Sequence, residues 1–176
     1  MIVTLSEEDI ERASDVGRLR QSESERKGLK DKHGFSGPGG QGLHIRGACG
    51  ELAAAKALGI EWQGSVNTFK RGGDVGKFQV RTRSKRWYDL LVRDGDADGD
   101  IFILVLGHDH PIYDVVGWIF ARDAKKSYWV KGHGGRDPAY FVPQSSLNRF
   151  RADLEALKPR PEPEPEPPAE EQMTLF

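Results

Sequence analysis

Apolar and polar positions change rhythm along this chain, and the changes mark its elements. Ser6 precedes three acids, Glu7, Glu8 and Asp9, a cap followed by charge suited to a helix N-terminus. The helix this predicts runs to about residue 27 and is polar, with Ile10, Ala13, Val16 and Leu19 as its only apolar stripe. A Gly-rich loop at 33–42 follows, without the Lys-Ser/Thr ending of a nucleotide-binding loop, so it reads as a connector. From Ile45 to Leu58 the pattern is again helical, built on small residues with Ala48, Leu52 and Ala55 inward, and Gly59 ends it. Glu51 stands at the edge of that stripe.

Periodicity then shortens to that of strands. Runs at 73–83, 89–93, 100–106 and 113–120 are separated by Gly, Asp and Pro. The run Asp100–Leu106 is almost wholly apolar and is expected to be a central strand covered on both faces. A helical turn is predicted at 121–126, a short strand at 140–142, and a last helix over 146–157 from the spacing of Leu147, Phe150, Leu154 and Leu157. Together these predict an α/β domain with a mixed sheet. Residues 1–43 form an N-terminal helix and loop, 44–158 the main domain, and 159–176 a disordered tail.

Composition changes the picture in one respect. The 176 residues carry a net charge of −1, but from Pro159 onward there are five Glu and one Arg. The rest holds 25 basic against 22 acidic residues, with seven Lys or Arg and one Asp between Lys70 and Arg86. Such a stretch attracts a polyanion. Lone Cys49 excludes an internal disulfide and a Cys-based zinc site. The acidic start and the lack of a long apolar run predict a soluble, cytoplasmic protein with no membrane partner. The tryptophans read mainly as core, with stacking on a base as the alternative for Trp87-Tyr88. His108 and His110 read as a polar turn.

Candidate chemistry gathers around GGDVGKFQVRTR. Asp74 precedes a turn, and alternation puts Gln79 and Arg81 on one face of the following strand. A carboxylate, an oxygen donor and a cation at a sheet end can hold a divalent metal against a phosphate. With the Glu51 helix upstream and the strands at 89–93, 100–106 and 113–120 downstream, the order resembles the PD-(D/E)XK nuclease superfamily, in particular its small phage and prophage members. That resemblance implies a restriction-endonuclease-like mixed sheet flanked by helices and metal-dependent DNA hydrolysis with Mg²⁺ or Mn²⁺. It implies Asp74 and Gln79 as metal ligands with the Val80 carbonyl, Glu51 holding a metal-bound water, and Arg81 facing the scissile phosphate. Lys77, Arg83, Lys85 and Arg86 are the expected DNA contacts. Gln79 and Arg81 depart from the usual acid and Lys, and Arg cannot act as a general base. A catalytically weak or inactive DNA-binding adaptor, or a clamp inhibitor, therefore stands beside the nuclease reading. A domain without a nucleic-acid role is the third alternative.

The tail carries an address. PRPEPEPEPPAE (159–170) cannot build a core and favours an extended spacer. It ends in Gln172-Met173-Thr174-Leu175-Phe176, which resembles the peptide motif that binds the bacterial DNA polymerase sliding clamp. Gln172 is then expected at the pocket rim and Met173, Leu175 and Phe176 in the apolar pocket. The alternative is that the apolar pair docks back on its own domain.

Overall fold

The structure is a computed structural model and describes residues 1–28, 40–66, 73–132 and 137–150. Strand β1 (Ile2–Thr4) leads into helix α1 (Glu7–Arg26), whose N-cap Ser6 and Asp9 form a reciprocal capping box. Helix α2 (Gly40–Leu58) begins inside the segment expected to be a loop. It ends in a Schellman turn, with Gly59 at φ +65° and its N–H and that of Ile60 donating to the Lys56 and Ala55 carbonyls. The sheet elements follow as β2 (Phe78–Arg83), β3 (Leu90–Arg93), β4 (Ile101–Asp109) and β5 (Ile112–Phe120). The single turn α3 (Ala121–Ala124) and strands β6 (Val130–Lys131), β7 (Ala139–Val142) and β8 (Asn148–Arg149) complete the described chain.

The main sheet has the order β1-β5-β4-β2, with β8 also on β5, and a smaller sheet has the order β3-β7-β6. The main sheet is mixed, because β2 runs parallel to β4 while β4, β5 and β1 pair antiparallel. Strand β4 is central and buried on both faces, as its unbroken apolar run predicts. Ile101, Ile103 and Val105 join Phe78, Val80, Leu52 and Leu58 in a core under α2. Phe102, Leu104 and Leu106 join Leu90, Val92 and Val142 in a second core under the small sheet. The order of layers is thus α1, α2, main sheet, small sheet.

Small residues make the helix layers tight. A Cβ at Gly17 would lie 2.6 Å from the Ile45 Cα, so α1 and α2 cross nearly backbone to backbone. A Cβ at Gly50 would overlap the Thr82 hydroxyl, which brings α2 directly onto β2. Leu19, expected on the apolar stripe, is instead exposed, and Gly17 and Ala13 occupy the buried face. The contact needs small residues, and a leucine at that crossing would hold the helices apart.

Two other expectations need correction. Residues 73–77 are a tight turn rather than strand, closed by Gly73 N–H on the Gly76 carbonyl and by the Val75–Phe78 bridge. The helix predicted from 146 is absent at its start, where Gln144–Ser146 is a 3₁₀ turn and Asn148–Arg149 pairs with β5. Leu147 packs in the small-sheet core and Phe150 against the α2 core, so residues three apart face opposite sides of a strand. Leu154, Leu157, the loop residues 33–39, the tail 159–170 and the peptide 172–176 lie outside the described residues. Among the described residues no helix is long and apolar enough to cross a membrane.

Candidate functional site

Glu51 lies on the face of α2 that turns toward α1, and it is 6% exposed. Arg20 of α1 grips it with two parallel bonds, Nη1 to Oε1 at 2.6 Å and Nη2 to Oε2 at 2.8 Å. Trp62 Nε1 also donates to Oε2 at 3.2 Å, and Arg20 Nε donates to the Ser65 carbonyl at 2.9 Å. Burial pushes the Glu51 carboxyl above its ordinary value, Arg20 draws it back, and the Asp74 charge adds to the upward push. Burial works against the charge of Arg20, but Glu51 and then Asp74 outweigh it and hold its pKa above the ordinary value.

Asp74 sits in the turn before β2, which is an edge strand of the main sheet among the described residues. Its Oδ2 accepts from the Val80 N–H at 2.8 Å, which satisfies an edge-strand donor that β4 cannot reach. Arg20, Glu51 and Asp74 therefore form one electrostatic neighbourhood. Gln79 and Arg81 do not join it. They alternate with Phe78 and Val80, whose side chains enter the α2 core, and so project from the other face of β2. There the Arg81 guanidinium stacks over Phe102 at 4.6 Å and pairs with Asp96 at 3.4 Å. Asp96 also accepts from the Arg93 N–H at 2.8 Å, so Arg81 is tied into the β3–β4 connection.

This arrangement can be tested against a divalent metal. Mg²⁺ requires near-octahedral oxygen donors, of which the protein normally supplies one or two carboxylates. Both Glu51 oxygens face a guanidinium, one Asp74 oxygen faces a backbone N–H, and the residue at 79 is an amide on the opposite face. As placed, the donor set does not fit the metal, and Arg20 supplies the positive charge that Glu51 needs. Among the described residues no group of three or more His, Cys, Asp or Glu side chains is positioned to hold a metal ion.

The basic residues downstream are arranged differently. Arg83 ends β2 with its guanidinium over the Tyr88 ring at 4.6 Å, and its buried Nε has no hydrogen-bond partner. Burial lowers its pKa, while the nearby Tyr88 and Asp89 work the other way. Lys85 and Arg86 are exposed on the turn 84–89, which the Tyr88 N–H closes onto the Lys85 carbonyl. Lys77 lies at the other end of β2, roughly 20 Å away at strand rise, with its ammonium near the Phe78 ring. Of the four expected DNA contacts, Arg83, Lys85 and Arg86 thus come together and Lys77 stands apart. Trp87, read mainly as core, is 73% exposed, whereas Trp62 and Trp118 are buried.

No protein-family profile, curated protein or solved structure matches the chain.

Sequence reasoning overlooked Arg20, which decides the state of Glu51. A signal for it existed: Ala13, Gly17 and Arg20 recur at helical spacing, which places a cation on the buried stripe of α1. Gln144 was also overlooked. Its Nε2 donates to the Arg86 and Tyr88 carbonyls at 2.8 and 2.9 Å, and no local pattern announces a contact nearly sixty residues away.

Proposed function

We propose that this chain is a DNA-binding protein brought to the bacterial sliding clamp by Gln172–Phe176, where it acts as an adaptor or clamp inhibitor. The observation that carries this reading is the cationic turn after β2. Arg83, Lys85 and Arg86 fall within four consecutive positions, and Gln144 bonds the backbone of the turn that presents them. Cations placed this way bind phosphates independently of sequence, which suits a protein delivered to DNA by a tether rather than by a recognition site.

A second reading, a restriction-endonuclease-like fold carrying out metal-dependent DNA cleavage, is favoured by one observation. Glu51 and Asp74 lie within each other's field, as the two acids of such a centre must. It requires Arg20 to release Glu51.

Fluorescence anisotropy with labelled DNA, repeated over a salt series, tests the first reading. The Lys85→Ala/Arg86→Ala variant is expected to bind more weakly and to flatten the salt slope by about 1.4, at about 0.7 per single-strand phosphate contact. An unchanged slope refutes the assignment of these cations to DNA. Incubation of single-stranded, duplex and branched DNA with Mg²⁺ or Mn²⁺ separates the two readings, because cleavage abolished by Asp74→Ala establishes the nuclease. The clamp tether is tested by pull-down with purified clamp; equal capture of the full chain and of a chain ending at Glu171 removes it.

A further inference from the structure

We propose that Trp87 is a stacking platform for an unpaired base and that the DNA bound by this chain is single-stranded. The inference rests on the DNA-binding reading above and names the form of DNA it takes.

Trp87 is the most exposed large apolar side chain among the described residues, and its backbone is well held. Gln144 bonds the carbonyls on either side of it, and the Lys85–Tyr88 turn closes beneath it. An exposed indole on a floppy loop signifies little, but one held on a braced turn is preorganised for a partner. Tyr88 and the indole meet in a T-shaped contact, with ring centroids 6.3 Å apart and planes at 75°. Lys85 Nζ lies 5.4 Å from the Trp87 ring and 5.6 Å from the Tyr88 ring.

Beside the indole opens a cavity of about 380 Å³, lined by Arg83, Trp87, Tyr88, Leu91, Arg93 and Phe141 among others. Its acids are Asp89 and Asp137, and Asp89 faces Lys131 at 3.6 Å. The surroundings of the aromatic face are thus cationic on balance: Lys85 and Arg86 on the turn, Arg83 and Arg93 in the cavity. A protein plug of apolar side chains would find Leu91 and Phe141 in the cavity but would also leave Arg83, Arg93 and Lys85 without an anion. A nucleotide matches both components, since its base has a π face for the indole and its phosphate an anion for the cations. Duplex DNA keeps its bases stacked on one another and offers the platform only its ends, whereas a single strand offers a base at every step.

The test measures anisotropy of a labelled single strand, a duplex of equal length and an RNA single strand with the full chain, Trp87→Ala and Trp87→Phe. Because the indole is exposed, its removal leaves the core intact, and circular dichroism checks this. Wild type is expected to prefer the DNA single strand to the duplex. Trp87→Ala is expected to lose about 5- to 150-fold in single-strand affinity, the range for removing one stacked base, and Trp87→Phe to recover most of it. Equal single-strand binding by wild type and Trp87→Ala overturns the platform, as does a preference for duplex. If DNA binding persists but single-strand affinity is unaffected by Trp87→Ala, the DNA reading survives while this inference falls. Absence of binding to any DNA overturns both, and a stronger affinity for RNA overturns the choice of DNA.

Discussion

Replacing Arg20 by Met is the most informative perturbation of the helix layer. The change keeps much of the apolar stem and removes the cation that grips Glu51. Glu51 then keeps only the Trp62 N–H and cannot reach water readily, because it is almost fully buried. Breaking a buried ion pair from one side costs about 3–5 kcal/mol, since a charge is left uncompensated. For a chain of this size each kcal/mol lowers the midpoint by about 2–4 °C, so a fall of about 6–20 °C is expected.

Glu51→Gln is a milder change. The side chain of Arg20 is 18% exposed and keeps the Ser65 carbonyl, and the amide oxygen can still accept from Trp62. Its expected cost is about 1–3 kcal/mol. The double variant strands no charge and should be more stable than the sum of the single losses predicts, by about 0.5–3 kcal/mol. Urea denaturation at pH 7, followed by circular dichroism, measures all three. A loss below about 1 kcal/mol for Arg20→Met, or strict additivity in the double variant, would falsify the claim that Arg20 holds Glu51. Glu51 would then be a solvated acid free to bind a ligand.

Three further outcomes follow from the geometry. The folded-state pKa of Glu51 lies above the ordinary 4.5, so its titration stabilises the fold below pH 4.5, and this contribution is lost as pH rises through the raised value. The stability of wild type relative to Glu51→Gln should therefore fall across that window; urea titrations from pH 4 to 7 check it, and a relative gain contradicts the burial argument. Gly50→Ala drives a methyl into Thr82 and should cost about 1–3 kcal/mol by overpacking, whereas an unchanged midpoint means that α2 does not sit directly on β2. Millimolar Mg²⁺ should leave the thermal midpoint of wild type unchanged, because Arg20 already occupies both Glu51 oxygens and leaves Asp74 without a second carboxylate to share an ion; an upward shift that Asp74→Ala abolishes would establish a metal site instead.

How much could be read from the chain differs from element to element, for physical reasons. Strand β4 was legible because both of its faces are buried, and such a strand needs no partner to be recognised. Helix α2 was legible from its small residues, although its first turn was hidden among glycines that read as loop. The segment after Pro143 misled because Leu147 and Phe150 fit a helical stripe, and only the presence of two separate cores shows that they face apart. Glu51 was legible as a notable acid but its state was not. Its partner depends on where α1 crosses α2, and that crossing is set by the Gly17–Ile45 approach. Trp87 was misplaced for a related reason: an aromatic after an alternating strand reads as core unless the strand is known to have ended.

The same consideration divides the basic stretch into two working parts. Within β2 the pleat sends Gln79, Arg81 and Arg83 to the face shared with Phe102, Leu104 and Leu106, the partners of those positions in β4. A cation on that face meets the small-sheet core and must find a partner there. Arg81 does so in Asp96 and Phe102, and it is thereby committed to the fold. Arg83, at the strand's last position, settles on Tyr88 but keeps one donor unpartnered. Beyond it the pleat no longer applies, and Lys85, Arg86 and Trp87 emerge on a turn that Gln144 braces from outside the strand. Charge density along the sequence does not distinguish these residues, but position relative to the end of β2 does. If this division is right, Arg81→Ala should lower stability while leaving DNA affinity nearly unchanged, and Lys85→Ala/Arg86→Ala should do the reverse. Paired melting and anisotropy measurements decide it, and loss of affinity in a fully folded Arg81→Ala protein would return Arg81 to the DNA-contacting surface.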